Sequence, residues 1–390
     1  MRPLPFLYHS AGRRAAEVPV LKIVADENMP HVEALFGELG EVTLLPGREM
    51  LPAQLCDADV LLVRSVTRVN EALLAKASRL QFVGTATIGT DHVDQGLLRE
   101  RGIAFSSAPG CNRISVGDYV LSALLVLAER HGLSLCAMSL AVVGAGNTGS
   151  AVATRAEALG MRVLRCDPPR ARLEGTAGFV TLEEALAADV VSFHVPLTRD
   201  GEEATHHLLD ASRIAALRPG QFLINASRGE VWDNRALLAR QRGAEPLHLV
   251  MDVWEHEPHL LHELVPLVEI ATPHIAGYSL EGKARGTWML YQALCERLGR
   301  SARQDLSALL PSPEVIRMQL GQAPDQALIG RLVHLVYDVR RDDARFRREL
   351  AIPGSFDRQR KHYPERRELS SLHLCGTTTP CLAKLGFTLS

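Results

Sequence analysis

The chain of 390 residues is 46% hydrophobic and 23% charged, with 43 basic against 45 acidic residues and a net charge of −2. That balance gives bulk electrostatics no reason to draw nucleic acid or a membrane surface as partner, and no apolar run reaches the roughly 18 to 20 residues of a membrane span. Seven scattered cysteines, an odd number, argue against a disulfide framework and for a reducing, cytoplasmic setting.

Residues 1–20 carry Arg2, Arg13 and Arg14 without a sustained apolar stretch, which reads as a disordered extension rather than a secretory leader. Buried strands are then expected at Leu21–Ala25, Val42–Leu45, Val60–Val63 and Phe82–Gly84, with a helix over Met29–Leu39 after the first. Arg64, Ser65 and Thr87 fall just beyond strand ends, where ligands sit in parallel α/β sheets. A turn-rich break, Ala108–Asn112, leads into a long helix over Ser115–Arg130.

Ser139–Asp167 carries the most explicit chemistry. An apolar strand, Leu140–Val143, runs into Gly144, Gly146 and Gly149, then a helical stretch, then a second strand, Arg162–Cys166, closed by an acid. Gly144 permits the tight turn, Gly146 lets a pyrophosphate approach the backbone, and Gly149 lets helix and strand pack closely. The helix N-terminus faces the phosphates with free N–H groups. Asp167 follows Gly144 by 23 residues, near the offset of about 20 for an acid that binds a ribose 2′-hydroxyl. Such an acid repels a 2′-phosphate, so the cofactor expected is NAD rather than NADP.

Further strands follow at Val190–Phe193, Phe222–Asn225, Leu247–Met251 and Ile270–Ala271, and a long helix returns over Leu280–Leu298. After three of these strands come Arg228, Glu257 and His274. Oxidising a hydroxyl beside a carboxylate needs a cation for the carboxylate, a base for the hydroxyl proton and an acid to orient that base. Arg228, in Asn225–Gly229, has the planar fork that suits a carboxylate; Glu257 and His274 fit the acid and the base. Each of the three has a plainer reading, as a surface arginine or a structural histidine, and it is their common order after apolar strands that favours chemistry.

His256, His259 and His262, interleaved with Glu255, Glu257 and Glu263, fit no zinc spacing and are interrupted by Pro258, so no metal is expected. His206 and His207 read as surface residues, and Cys111 as a turn thiol without a base beside it. Beyond Leu306, prolines punctuate a linker, a helix is expected over Asp325–Tyr337, and an arginine-rich stretch with interleaved acids (Arg340 to Arg360) reads as a solvated or interfacial surface.

The glycine loop, Asn225–Gly229, Asp252–Pro258 and the stretch from Thr272 together resemble the D-2-hydroxyacid dehydrogenase family. That resemblance implies that Arg228 grips the substrate carboxylate, His274 takes and returns the hydroxyl proton, and Glu257 polarises His274. It implies NAD contacts at Asn147, Thr148, Asp167, Asp252 and Gly277, with Ala226, Ser227 and Arg228 on the nicotinamide side, and substrate contacts at Ser65, Thr87 and Tyr278. Val195 stands among the cofactor contacts where a threonine often follows the strand-end histidine; Glu230, Trp232 and Asp118 also depart from the family pattern. For a phosphate on the substrate, Arg64 and Lys283 or Arg285 are candidates on charge and strand-end position alone.

The fold expected is α/β: two Rossmann-like, doubly wound parallel-sheet domains with a cleft between them, plus a small C-terminal α+β dimerisation domain. Residues 21–114 with 275–300 are assigned to substrate, 115–274 to NAD and 301–390 to linker and self-association as a homodimer. The activity expected is NAD-dependent oxidation of a small phosphorylated D-2-hydroxy acid. A relative acting on 3-phosphoglycerate and an NAD-sensing binding protein stay open as alternatives.

Overall fold

The computed structural model describes residues 20–390, so the reading of the N-terminal extension lies outside the described residues. The first sheet contains β1 (Leu21–Asp26), β2 (Gly40–Leu45), β3 (Val60–Val63), β4 (Phe82–Thr85) and β5 (Ala104–Ser106), all parallel, in the order β2-β1-β3-β4-β5. The second contains β6 (Ser139–Val143), β7 (Arg162–Cys166), β8 (Val190–Phe193), β9 (Phe222–Asn225), β10 (His248–Met251) and β11 (Ile270–Ala271). Its order, β11-β10-β9-β8-β6-β7, is again fully parallel. In each sheet the chain winds one way from its first strand and then returns to the other side, so strand order reverses beside β1 and beside β6. A crevice opens at the carboxyl ends of the strands at such a switch point.

Both sheets are buried on two faces, which is why β3, β4, β6, β8 and β9 are fully buried and read as mostly apolar runs without polar alternation. The helix expected over Met29–Leu39 is far shorter, Val32–Phe36. Asp26 accepts the Asn28 N–H on Oδ1 at 2.8 Å and the Met29 N–H on its carbonyl, so the chain turns first, and His31 takes a left-handed conformation before the helix can start.

Two long helices join the units. Arg113–His131 leads into the second sheet, and Leu280–Arg297 returns to pack Leu290, Tyr291 and Leu294 on the first. The former is buried over most of its circumference, as expected of a helix apolar all round. It ends at Gly132, whose positive φ closes the last turn.

The C-terminal stretch forms a third parallel sheet, β12 (Arg317–Leu320), β13 (His373–Gly376) and β14 (Thr388–Leu389), in that order, with helices Gln326–Val336, Val339–Glu349 and Ser355–Lys361. Its apolar side chains, among them Leu332, Leu369, Leu374 and Leu385, share one continuous core with the linking helix and the β6 side of the second sheet.

Two departures from the family pattern have structural roles. Trp232 is fully buried edge-on to Phe193. Asp118, also fully buried, accepts two bonds from Arg155 at 2.6 and 3.0 Å and the Leu369 N–H at 3.1 Å, which pins the C-terminal segment to the linking helix. Removing one member of such a pair strands the other charge at a cost of about 3–5 kcal/mol. Arg155→Met is therefore expected to lower unfolding free energy by about that amount in urea denaturation, with most of it recovered in the Arg155→Met/Asp118→Leu double variant. Equal losses in single and double variants would contradict the role given to this pair.

Candidate active site

A cleft of about 850 Å³ opens between the two larger sheets. Ser65 and Thr87 enter it from the ends of β3 and β4; Gly146, Asn147 and Thr148 from the loop after β6; Val195 from beyond β8; and Ala226, Ser227 and Arg228 from beyond β9. Asp252, Glu257, His274, Gly277 and Tyr278 complete the lining from the second unit and the start of the return. Gly144, Gly149 and Asp167 are not part of this lining.

Their backbone settings explain the glycine pattern. Gly144 has φ +90, and a Cβ on Gly149 would lie 2.0 Å from the Gly144 carbonyl oxygen. Above Gly146 a Cβ would meet no protein atom within 4 Å. The helix Asn147–Ala158 starts there with no side-chain cap, so its first N–H donors face open space that a pyrophosphate fits. Asp167 accepts the Ala145 N–H at 2.8 Å and the Arg170 N–H at 3.0 Å, which fixes the carboxylate and leaves each oxygen a lone pair for a ribose hydroxyl. The residues present thus fit a dinucleotide.

His274 has φ +57, a conformation held by Asp252. That buried carboxylate accepts the Thr272 hydroxyl at 2.7 Å and the Ile275 N–H at 2.8 Å on one oxygen, and the Ala276 N–H at 2.9 Å on the other. The His274 N–H donates to the Asp252 carbonyl at 2.7 Å. Its Nδ1 meets Glu257 Oε2 at 2.7 Å, while Glu257 Oε1 accepts the Trp254 N–H at 2.9 Å. Burial alone would raise the Glu257 carboxyl, but the His274 charge and hydrogen bond, with help from Arg360, hold it below its ordinary value.

Arg228 is aimed by its neighbours. Asn225 Nδ2 donates to the Arg228 carbonyl at 3.0 Å, its Oδ1 accepts from Ser227, and the Arg228 guanidinium bonds the Ser227 carbonyl at 2.8 Å. Gly229 leaves no room for a side chain, since a Cβ would lie 1.9 Å from the Trp254 carbonyl oxygen. Across the cleft, Asp91 approaches Arg228 at 3.5 Å, a contact long enough for a substrate carboxylate to displace.

Several lining residues were given no role by the sequence. Asp91, His92, Arg48, Arg68 and Arg360 all face the cleft, and none sits in a chemically suggestive spacing. His92 bonds Thr85, which bonds Thr87, so the Thr87 hydroxyl is set by a relay. Of the phosphate candidates, Arg64 and Lys283 line the cleft. Arg285 does not: it pairs with Glu368 at 2.8 Å and bonds the Cys111 carbonyl. Cys111 is buried and its thiol is pushed up to about 11, which keeps it protonated and unreactive. His194, also in the lining, is pushed down to about 3 by burial and is a neutral wall residue. Among the described residues, the side-chain groups spaced to share a metal ion are His131, His248 and Glu269, and His207, Asp233 and Glu255, so the run His256, His259 and His262 does not converge.

Residues 125–276 match the D-isomer specific 2-hydroxyacid dehydrogenase NAD-binding domain, and residues 309–386 match a domain of unknown function. Over 94% of its length the chain is 71% identical to the erythronate-4-phosphate dehydrogenase of Aeromonas salmonicida strain A449, covering 99% of that protein. The chain belongs to the D-isomer specific 2-hydroxyacid dehydrogenase family. It is also 59% identical to the erythronate-4-phosphate dehydrogenase of Tolumonas auensis, covering 95% of this chain and 100% of that one. Among solved structures, a D-lactate dehydrogenase from Aquifex aeolicus complexed with NAD and lactic acid is similar at TM-score 0.58 and 25% identity, over 71% of this chain and 95% of that one. As a dehydrogenase of this family the chain binds NAD, in agreement with the open, uncapped helix start at Gly146.

The depressed Glu257 carboxyl has a consequence for acid stability. A carboxyl whose folded value lies below its ordinary 4.5 contributes stability that is fully present above that pH and is lost as pH falls through the folded value. Glu257→Gln should therefore flatten the fall of the melting temperature as pH drops below the ordinary 4.5. An unaltered slope there would mean that the Glu257–His274 contact is not formed in solution.

Proposed function

We propose that the chain oxidises the C2 hydroxyl of 4-phospho-D-erythronate to give (R)-3-hydroxy-2-oxo-4-phosphooxybutanoate, a step toward pyridoxal 5′-phosphate. The observation that carries this reading is the Glu257–His274 pair, at 2.7 Å, lining the same cleft as Arg228 and the glycine loop.

The substrate carboxylate takes the place of Asp91 on the Arg228 guanidinium, a charge-assisted contact of better geometry than the one it replaces. With Nδ1 committed to Glu257, His274 has Nε2 free for the hydroxyl proton. Glu257 stabilises the imidazolium that forms and holds the ring in place. The C2 hydrogen leaves with its electron pair, and bound NAD supplies the hydride acceptor. Ser65, Thr87 and Tyr278 are assigned to the substrate hydroxyls, with Thr87 held through the Thr85–His92 relay. Asn147, Thr148, Ala226, Ser227, Val195 and Gly277 are assigned to the cofactor, and Asp167 to its ribose.

A homodimer built through the C-terminal unit is part of the same reading. Val315 and Ile316 are exposed beside β12, which has a neighbour on one side only, and Leu335 is exposed on the helix Gln326–Val336. The free state of all seven cysteines supports a reducing, cytoplasmic setting.

The deciding test is single-turnover formation of NADH on mixing the NAD-loaded protein with 4-phosphoerythronate, with 3-phosphoglycerate as a comparison. Wild-type protein should give NADH with the former, and His274→Asn should lose about 10²–10⁴-fold in rate while keeping NAD affinity. Faster turnover of 3-phosphoglycerate would reassign the substrate, and NAD binding without turnover of either would leave a binding protein.

A further inference from the structure

Resting on the function proposed above, we infer that Arg360 and Lys283, both packed against the Tyr278 ring, form a phosphate-monoester subsite through which the C-terminal unit selects phosphorylated over unphosphorylated hydroxy acids. Arg360 stands on the helix Ser355–Lys361, outside both large sheets, yet it lines the cleft with Tyr278 and Lys283. Lys283 Nζ lies 4.7 Å from the centre of the Tyr278 ring, and the Arg360 guanidinium carbon lies 6.0 Å from it. The same helix is tied to the first unit by Asp357, which accepts from Arg48 at 2.7 Å.

The charges in this corner are unbalanced. Arg228 and Arg48 have carboxylate partners, whereas among the described residues Arg64 and Lys283 form no ion pair. Arg360 reaches Asp357 only at 4.0 Å, and its buried Nε has no hydrogen-bond partner among the described residues. Burial, and then the repulsion of Arg64, push Lys283 down to about 8. Clustered cations drawn from water cost free energy unless an anion joins them, and a phosphate with three acceptor oxygens satisfies several donors at once. Arg228 comes from β9 and these cations from the returning helix and the C-terminal unit, so a substrate charged at both ends has a separate anchor for each.

The rival role for Arg360 is electrostatic, since it also helps to hold Glu257 ionised. The two roles separate by ligand. NAD-loaded, full-length protein is titrated calorimetrically with inorganic phosphate and, separately, with D-erythronate. Arg360→Gln should weaken phosphate about 10- to 100-fold, the loss expected for a charged hydrogen bond, while D-erythronate stays within about twofold. Arg360→Lys should recover part of the phosphate affinity, and Lys283→Met should show the same selectivity as Arg360→Gln. In turnover, Arg360→Gln should raise KM for 4-phosphoerythronate by a larger factor than it lowers kcat. No phosphate binding by wild type, unchanged phosphate affinity in Arg360→Gln, or equal loss of both ligands would overturn the subsite. Failure of wild type to oxidise 4-phosphoerythronate would instead overturn the proposed reaction, and the phosphate titration would still decide the subsite.

Discussion

The architecture depends on how the chain crosses twice between its two large sheets. At those crossings, Ser115 and Ser279 place their hydroxyls 2.5 Å apart, one donating to the other, and Glu368 Oε1 lies 3.1 and 3.0 Å from them to accept the remaining proton while Glu368 also holds Arg285. Arg366, buried against the Tyr337 ring, donates to the carbonyls of Ser115 and Ala276. Both crossings are thus tied by one short C-terminal segment, Arg366–Glu368. Buried polar groups this dense are tolerated only when nearly every donor and acceptor is met, which makes the knot an all-or-none feature. The C-terminal unit, which shares a core with the linking helix, therefore acts as a clamp on the place where the cleft is set.

The cleft chemistry follows from strand ends and from one buried acid. Within each sheet the carboxyl ends of the parallel strands share one edge, which delivers Ser65 and Thr87 from the first sheet and the glycine loop, Arg228 and Asp252 from the second to the cleft. Asp252 then uses both oxygens to fold the loop after β11, putting His274 into a left-handed conformation that brings its ring to Glu257. A residue with a β-carbon holds such a conformation only when its surroundings over-determine it. Positioning of the His274 ring is thus a property of Asp252 as much as of His274 itself.

Much of this was legible in the sequence. The strands were visible because burial on both faces gives short, mostly apolar runs, and the nucleotide loop because Gly144 and Gly149 answer to a positive φ and a close contact that other residues do not tolerate. The helix after β1 was overestimated: its apolar spacing ran through Pro30, but the Asx turn at Asp26 delayed the start until Val32. The arginine-rich stretch reads as a solvated or interfacial surface, and the interfacial alternative holds where Arg347 donates to the carbonyls of Val265 and Val268 and Arg360 reaches the cleft. Arg285 and Lys283 lie two positions apart on one helix and so point in different directions, which charge alone cannot reveal.

By itself the sequence determined the fold class and the dinucleotide loop and singled out Arg228, Glu257 and His274 as candidates, through a period, a glycine spacing and an order after strands. Only the tertiary structure decided the Asp91–Arg228 contact, the Thr85–His92 relay to Thr87, the burial of Asp118 with Arg155, and the entry of Arg360 into the cleft. Those arrangements join residues from 7 to 137 positions apart. No local pattern encodes such a meeting; it exists once the strands are laid side by side and the C-terminal segment closes over the crossing.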